Sequence, residues 1–254
     1  LETIRVHMVE RPIHRLVDGC ARLESDELAE ETIVTIHCQE EIVVRLLASP
    51  YDLEDLAYGH IYCENRGEIS SISVTDNDVH LTGTIRKRPA EDLLTAACGA
   101  CTTGDIEIPL DLINRTISLD AELGEMMNQM KKNQPRFAAT GGVHAAAVFD
   151  QSGNILLLRE DIGRHNAFDK VVGACIRNEI QPKIVGLSGR LGWELVAKGV
   201  RSGVELIIAV GAISSAAEAL ARASGMTLVG FATNKSPAVI GDLSRIIDKP
   251  SSTG

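Results

Sequence analysis

The chain has 254 residues, of which 44% are hydrophobic, so it can bury a substantial core and we expect two modest domains. Because only 3% of the residues are aromatic and the formal net charge is −10, no nucleic-acid partner is expected. Residues 1–15 lack the apolar run of a signal peptide and no later stretch reaches the length of a membrane span, which predicts a cytoplasmic protein without a membrane partner.

Residues 1–95 are predicted to form a smaller, mainly β domain. Runs of β-branched residues on either side of polar turns predict two hairpins in it. Their strands are expected at 32–36, 42–46, 72–75 and 79–84. Between the hairpins, Ser49-Pro50 ends a strand and Asp52 begins a helix whose apolar residues recur at helical spacing. This domain carries no obvious chemistry.

A mobile loop with two thiols is predicted at 96–118, where Cys98 and Cys101 lie among small residues such as Gly99 and Gly104. The pair could be half of a zinc site, a redox pair, or a nucleophilic cysteine with a second cysteine beside it. The other cysteines stand singly, which disfavours zinc and fits reduced thiols in a reducing compartment. The surroundings are loop-like and do not show the strand-to-helix context of a redox pair, which favours the nucleophile.

Two features flank this loop. Arg86-Lys87-Arg88 is either a solvated surface or a source of positive charge that favours the thiolate forms of the two cysteines. After the loop, an amphipathic helix is predicted at 119–130. Its Met126, Met127 and Met130 are expected to pack in the core.

From residue 135 onward strands alternate with helices, which predicts that 96–254 form an α/β domain. A hairpin is expected from strands 143–149 and 155–159, followed by a helix at 166–177. Three further strands are expected at 184–187, 206–210 and 227–231, with helices at 193–198 and 216–224 between them. Such an alternation predicts parallel strands with ligands at their carboxyl ends.

Polar residues follow these strands at the places where a phosphate-bearing ligand would bind. Ser188-Gly189-Arg190 offers a hydroxyl, an open backbone N–H and a guanidinium at a helix N-terminus, and Ser214-Ser215 is similar. The alternative is that these residues only cap helices and turns. Two more polar, glycine-containing stretches meet the same sheet and favour a ligand site. They contribute the candidates Thr140, Gly141, His144, Arg164, His165 and Asp169.

Several motifs, in this order along nearly the whole chain, resemble the formate dehydrogenase accessory sulfurtransferase family (FdhD). They are residues 49–54, Cys98-Gly99-Ala100-Cys101, and residues 140–146, 160–170 and 228–231. The resemblance implies a smaller N-terminal domain and a C-terminal three-layer α/β/α domain like that of cytidine deaminase. It also implies a homodimer.

The function implied by the resemblance is that of a sulfur carrier. Members take sulfur from a cysteine desulfurase as a persulfide and pass it to the molybdenum bis(molybdopterin guanine dinucleotide) cofactor of the formate dehydrogenase catalytic subunit. By position, Cys98 matches the persulfide-bearing cysteine and Cys101 the second cysteine. The family's cofactor-binding loop aligns with Phe231, Ala232, Thr233, Asn234, Lys235 and Ser236. No metal of the protein's own is expected.

Two other functions compete with sulfur transfer. A zinc deaminase needs His-x-Glu followed downstream by a cysteine pair, whereas here Ala145-Ala146 follow His144 and the cysteine pair lies upstream. The second alternative is a chaperone that binds the guanine dinucleotide without moving sulfur.

Overall fold

The structure, a computed structural model, describes residues 8–86, 113–114 and 116–246. The predictions on Cys98 and Cys101, on most of the loop 96–118, and on Lys87 and Arg88 lie outside the described residues.

The described chain begins with a two-stranded antiparallel ribbon that sequence patterns did not single out. It consists of β1 (Met8–Val17) and β2 (Cys20–Ala29). The connecting Asp18-Gly19 has positive φ at both positions, which is the conformation that a tight two-residue hairpin requires. Most of the ribbon is exposed, so the hydrophobic alternation that reveals a half-buried strand is weak in this part of the sequence.

A four-stranded sheet follows the ribbon and contains both predicted hairpins. Its strands are β3 (Thr32–Cys38), β4 (Glu41–Ala48), β5 (Gly67–Thr75) and β6 (Asp78–Ile85), in the order β4-β3-β6-β5. The predicted helix is α1 (Leu53–Cys63). Its Leu56, Ala57 and Ile61 are almost fully buried in one apolar cluster with the inner face of this sheet.

The second sheet has six strands in the order β12-β11-β10-β9-β7-β8. They are β7 (His144–Phe149), β8 (Ile155–Asp161), β9 (Ile184–Leu187), β10 (Leu206–Ala209), β11 (Thr227–Gly230) and β12 (Ala238–Ile240). Strands β9, β10 and β11 are parallel, as predicted. The β7–β8 hairpin reverses the direction of the chain, and β7 pairs antiparallel with β9. Strand β12, which was not predicted, is antiparallel to β11.

Helices cover both faces of the six-stranded sheet, which confirms the predicted α/β class with α/β/α layers. The helices are α2 (Leu123–Lys132), α3 (Pro135–Thr140), α4 (Arg164–Arg177), α5 (Trp193–Arg201) and α6 (Ser215–Ser224). One face packs against α4, α5 and α6. The other packs against α2, where Met126, Met127 and Met130 are buried as expected.

Helix α2 begins at Leu123 and not at residue 119, where the sequence pattern placed its start. The preceding residues are extended and paired: the backbone N–H of Leu119 donates to Arg245 and that of Asp120 to Gln151. Ile117 and Leu119 are buried by this pairing. The apolar residues that suggested an earlier helix start therefore anchor an irregular segment to the core.

Helices α1 and α4 hold the two sheets together through an unusually close approach. A β-carbon built at Gly173 of α4 would lie 1.9 Å from the carbonyl oxygen of Asp55 on α1. A buried ion-pair network lies beside this crossing, where Lys198 of α5 contacts Asp169 at 2.8 Å and Glu64 at 2.9 Å. The network joins α1, α4 and α5, so it fixes the position of the six-stranded sheet relative to α1.

Candidate functional site

The loops that follow β9, β10 and β11 are bonded to one another at the carboxyl ends of these strands. Gly211 N–H donates to the carbonyl of Gly189 at 3.0 Å, and Phe231 N–H donates to the carbonyl of Gly211 at 3.0 Å. A β-carbon at Gly211 would lie 2.8 Å from Cγ of Arg190, so glycine is needed for this close approach. We call the three loops, residues 188–190, 210–214 and 231–236, the carboxyl edge.

His144 reaches the carboxyl edge because β7 runs antiparallel to β9. Its Nδ1 lies 3.2 Å from Oγ of Ser188, and the same hydroxyl accepts a 2.9 Å hydrogen bond from the Ala145 N–H. A β-carbon on Gly189 would lie 3.4 Å from Nδ1 of His144 and 3.5 Å from Cδ of Arg164. Residues from β7, α4 and the loop after β9 therefore meet at one point, where His144, Arg164 and Ser188 lie close together.

Helix α4 begins at Arg164, two residues earlier than the sequence pattern indicated, so Arg164 and His165 occupy its first turn. The turn before it is shaped by Asp161, whose Oδ1 accepts from the N–H of Gly163 at 2.8 Å and from Nδ2 of Asn166 at 3.0 Å. Oδ2 of Asp161 pairs with the buried ammonium of Lys170 at 2.7 Å. Asp161 is thus a structural residue beneath the site, and the sequence had not identified it as such.

His165 pairs with an acid that the sequence analysis missed. Its Nε2 lies 2.9 Å from Oε2 of Glu194, in the first turn of α5. The Nδ1 atom of the same ring is buried and has no hydrogen-bond partner among the described residues. In the sequence, Glu194 looks like an ordinary solvated acid near a helix N-terminus. The pair of His165 and Glu194 is revealed only by the packing of α5 beside α4.

Several positively charged side chains lie near His144 and affect its pKa. Burial lowers the pKa of His144, and the neighbouring positive charges of Arg164, His165 and Arg190 lower it further, although Asp161 opposes them. We call His144, Arg164, His165, Ser188 and Arg190 the edge cluster. Such a cluster beside the N-termini of α4 and α5 can bind an anion through charge, side-chain donors and helix dipoles together.

The loop after β11 contributes an exposed aromatic ring to the carboxyl edge. Phe231 has φ of 54°, which is rare for a bulky residue, and its side chain is 42% exposed. Ala232 is buried and bonds to Ala209, so it anchors the loop to the sheet. The predicted ligand residues Thr233, Asn234, Lys235 and Ser236 are exposed beyond this anchor.

Among the described residues, three predicted site residues lie outside both the edge cluster and the carboxyl edge. Asp169 is almost fully buried, and its carboxylate contacts Nδ1 of His60 and the ammonium of Lys198, so its role is to hold α1, α4 and α5 together. Its prediction as a ligand contact is corrected because the buried carboxylate is already held by His60 and Lys198. Thr140 and Gly141 end α3, where the Thr140 hydroxyl donates to the Arg136 carbonyl and accepts from the Gly142 N–H.

In the described part of the chain, no three His, Cys, Asp or Glu side chains are grouped so that they could hold a metal ion. No helix among those same residues is long and apolar enough to cross a membrane.

Fold and site together define a mixed α/β protein with a cationic cluster at the carboxyl ends of its parallel strands. A crystal structure described as that of a formate dehydrogenase accessory protein from Desulfotalea psychrophila has this fold. It matches with a TM-score of 0.76 and 22% sequence identity, over 94% of this chain and 99% of that chain.

Sequence comparison gives the family. The model of the FdhD/NarQ family matches residues 29–247. The sulfur carrier protein FdhD of Sulfurisphaera tokodaii is 32% identical over 242 residues, which cover 89% of this chain and 93% of that protein. The protein of the same name from Nocardia farcinica is 32% identical over 247 residues, 87% of this chain and 88% of that protein. The chain therefore belongs to the FdhD/NarQ family.

Proposed function

We propose that this protein is a sulfur carrier for formate dehydrogenase. In this role it accepts sulfur from a cysteine desulfurase as a persulfide on Cys98 and delivers it to the molybdenum bis(molybdopterin guanine dinucleotide) cofactor. The observation that carries the proposal is the edge cluster, which gives a member of this family an anion site of the kind that a dinucleotide diphosphate needs.

The residues of the edge cluster and of the carboxyl edge can supply complementary contacts for such a ligand. The guanidinium groups of Arg164 and Arg190 can each pair with phosphate oxygens in bidentate fashion, and Lys235 can add a single charge. Each such charge-assisted hydrogen bond contributes about 1.5–3 kcal/mol. The exposed ring of Phe231 is available for stacking on the guanine base.

Sulfur transfer needs a thiolate that can reach both donor and acceptor. In the loading step, the Cys98 thiolate attacks the outer sulfur of the desulfurase persulfide, a new S–S bond forms on Cys98, and the desulfurase cysteine leaves as a thiolate. In delivery, the S–S bond of the Cys98 persulfide breaks, Cys98 leaves as a thiolate, and the outer sulfur passes to the cofactor as sulfide with the two electrons supplied by the reduced metal of the cofactor. Cys101 supports the reaction and can form a competing disulfide with Cys98 under oxidising conditions.

Sulfur transfer of this kind involves two protein partners besides a second copy of the chain. The cysteine desulfurase loads sulfur and the catalytic subunit of formate dehydrogenase receives the sulfurated cofactor, and both steps belong to the cytoplasm. Support comes from the family membership and from relatives that bear the name sulfur carrier protein.

The decisive experiment is transfer of labelled sulfur from a desulfurase, followed by activation of formate dehydrogenase. We expect Cys98→Ala to abolish both and Cys101→Ala to reduce them. Cys20→Ala is the matched control, because Cys20 is an exposed free cysteine on the ribbon and should not affect transfer. Full activity of Cys98→Ala would contradict the proposal.

Mass spectrometry of the purified protein separates sulfur transfer from the other two functions. A mass increase of one sulfur atom on Cys98 supports the carrier. Bound guanine dinucleotide without any persulfide supports the chaperone, and bound zinc supports a deaminase.

A further inference from the structure

We propose that the outer edge of β2 pairs with the β2 edge of a second copy of the chain, antiparallel and centred on Leu23. Two ribbons then form one four-stranded sheet across a two-fold axis. The partner is another molecule of this protein, and the interface is independent of sulfur transfer.

The base of the ribbon packs on the rest of the chain, whereas its far half is exposed. At the base, a β-carbon built at Gly142 would lie 3.0 Å from Cβ of Ala29. Further out, every residue from 18 to 25 is exposed. A two-stranded hairpin is marginally stable by itself in water, whereas three or more strands support one another. Pairing with further strands would therefore stabilise the far half of the ribbon.

The two outer edges of the ribbon differ in their capacity to pair. Pro12 lies in the middle of β1, and a proline in a sheet points its nitrogen to the open side, where it offers no N–H. Strand β2 contains neither proline nor glycine over its ten residues. A row of unpaired N–H and C=O groups along such a strand is a template for another strand. The β2 edge is therefore the one that can accept a partner.

Two exposed leucines lie on one face of the ribbon. Leu23 is opposite His14, and Leu16 follows His14 by two positions on β1, so that Leu16 and Leu23 are diagonal neighbours on the same face. They are 76% and 70% exposed. Pairing about Leu23 places the two copies of this residue directly opposite each other and joins the apolar patches of both ribbons.

The charges of β2 select this alignment. In a two-fold symmetric antiparallel pair, one residue is opposite its own copy, and its neighbours on either side are opposite each other. An axis at Arg22 or Glu24 places like charges opposite each other, and an axis at Ser25 places Glu24 opposite Asp26. An axis at Leu23 places Arg22 of each copy opposite Glu24 of the other. Opposite charges stabilise a cross-strand pair and like charges destabilise it, so Leu23 is the favoured centre.

Arg22 has no counter-charge among the described residues of its own copy. It lies directly opposite Arg15 of β1, which is itself paired with Glu24 at 2.9 Å and with Asp26 at 2.8 Å. Arg15 contacts only Oε2 of Glu24, so Oε1 of the same carboxylate is available to Arg22 of the second copy. Dimerisation through β2 thus gives Arg22 the partner that its own ribbon does not supply.

Disulfide cross-linking tests the alignment. Leu23→Cys in a Cys20→Ala background should form a covalent dimer under mild oxidation, because opposite positions of an antiparallel pair lie within disulfide range. Ser25→Cys in the same background is the matched control: with the axis at Leu23, the two copies of Ser25 are offset by four residues, about 13 Å along the strands. Non-reducing electrophoresis measures the yield, and the remaining cysteines are the same in both variants. Equal yields, or no covalent dimer of Leu23→Cys, would overturn the proposed alignment.

Sedimentation of charge variants tests the ionic contacts. Arg22→Glu should weaken dimerisation about tenfold or more, because the two-fold axis doubles the effect of each change. Adding Glu24→Arg to it should restore most of the affinity, since opposite charges again face each other across the axis. Arg15 then has a carboxylate opposite it at position 22. Arg222→Glu, on the exposed face of α6, is the control for net charge and should leave dimerisation unchanged.

The outcomes are distinct. Rescue of Arg22→Glu by Glu24→Arg supports the β2 interface, because damage to the fold would not be reversed by a second charge change. A wild-type chain that sediments only as a monomer would overturn the interface. A wild-type dimer that Arg22→Glu does not weaken would overturn it too and would assign self-association to another surface. None of these results affects the proposed role of Cys98.

Discussion

Gly59 of α1 packs directly on the backbone of Asp169 of α4: a β-carbon built at Gly59 would lie 1.7 Å from the Asp169 carbonyl oxygen. The contact is backbone against backbone, so neither partner can move aside as a flexible side chain would. Because Asp169 also binds His60 and Lys198, this single contact positions the network that joins the two sheets.

We expect Gly59→Ala to destabilise the protein by about 1–3 kcal/mol or more, as overpacking of a tight interface does. Urea unfolding measures the change. Gly124→Ala is the matched control, since Gly124 is also helical, has no heavy atom within 4 Å of its built β-carbon, and should be neutral or slightly stabilising. Equal stability of the two variants would contradict the close packing of α1 on α4.

Stability should fall as the pH falls below about 6.5, the ordinary pKa of histidine, in part because of His60. Burial lowers the pKa of His60, although Asp169 opposes the shift, so the ring stays neutral in the folded protein while the unfolded chain takes up a proton. The folded protein then binds one proton fewer than the unfolded chain. Because of His60, the free energy of unfolding falls by up to about 1.4 kcal/mol for each unit by which the pH is lowered below that value.

Urea unfolding from pH 7.5 down to pH 5 (about the range over which an unfolded histidine titrates) tests this dependence. We expect His60→Gln to flatten the slope, because the amide does not titrate. The control is His14→Gln, which replaces an exposed histidine on the ribbon and should leave the slope as in wild type. An unchanged slope in His60→Gln would show that other groups account for the pH dependence.

Binding of guanine nucleotides should depend on Arg190. Its guanidinium lies at the exposed rim of the edge cluster, so Arg190→Ala removes a phosphate contact without leaving a cavity in the core. We expect GDP affinity to fall about 10- to 100-fold, corresponding to the loss of one charge-assisted contact. Calorimetry gives the dissociation constant, and Arg222→Ala on the exposed face of α6 is the control. Equal affinity of Arg190→Ala and wild type would exclude Arg190 as a ligand.

The protein should self-associate. The family resemblance points to a homodimer, so sedimentation at micromolar concentration should show a species of about twice the 27.3 kDa of the chain. A single species near 27.3 kDa would contradict this expectation.

Sequence patterns predicted most of the regular structure because the spacing of apolar residues reflects which face of each helix or strand is buried. The β-branched runs at Thr32–Cys38 and Glu41–Ala48 form a hairpin, and the methionines of α2 are in the core. The same patterns did not predict the direction of β7 relative to β9 or the pairing of β12. Alternation shows that a strand is buried, but strand order depends on contacts with distant segments.

The family, the α/β class, and the segments that carry polar groups to the carboxyl ends of the strands could all be read from the residues alone. The contacts that those polar groups make depend on how the elements pack. Within the motif at 160–170, Arg164 and His165 lie at the site, whereas Asp169 joins α4 to His60 of α1 and Lys170 joins it to the Ser49 carbonyl before α1. The same packing brings Glu194 to His165. Periodicity reveals which face of a helix is apolar, but which polar side chains meet depends on how two helices pack.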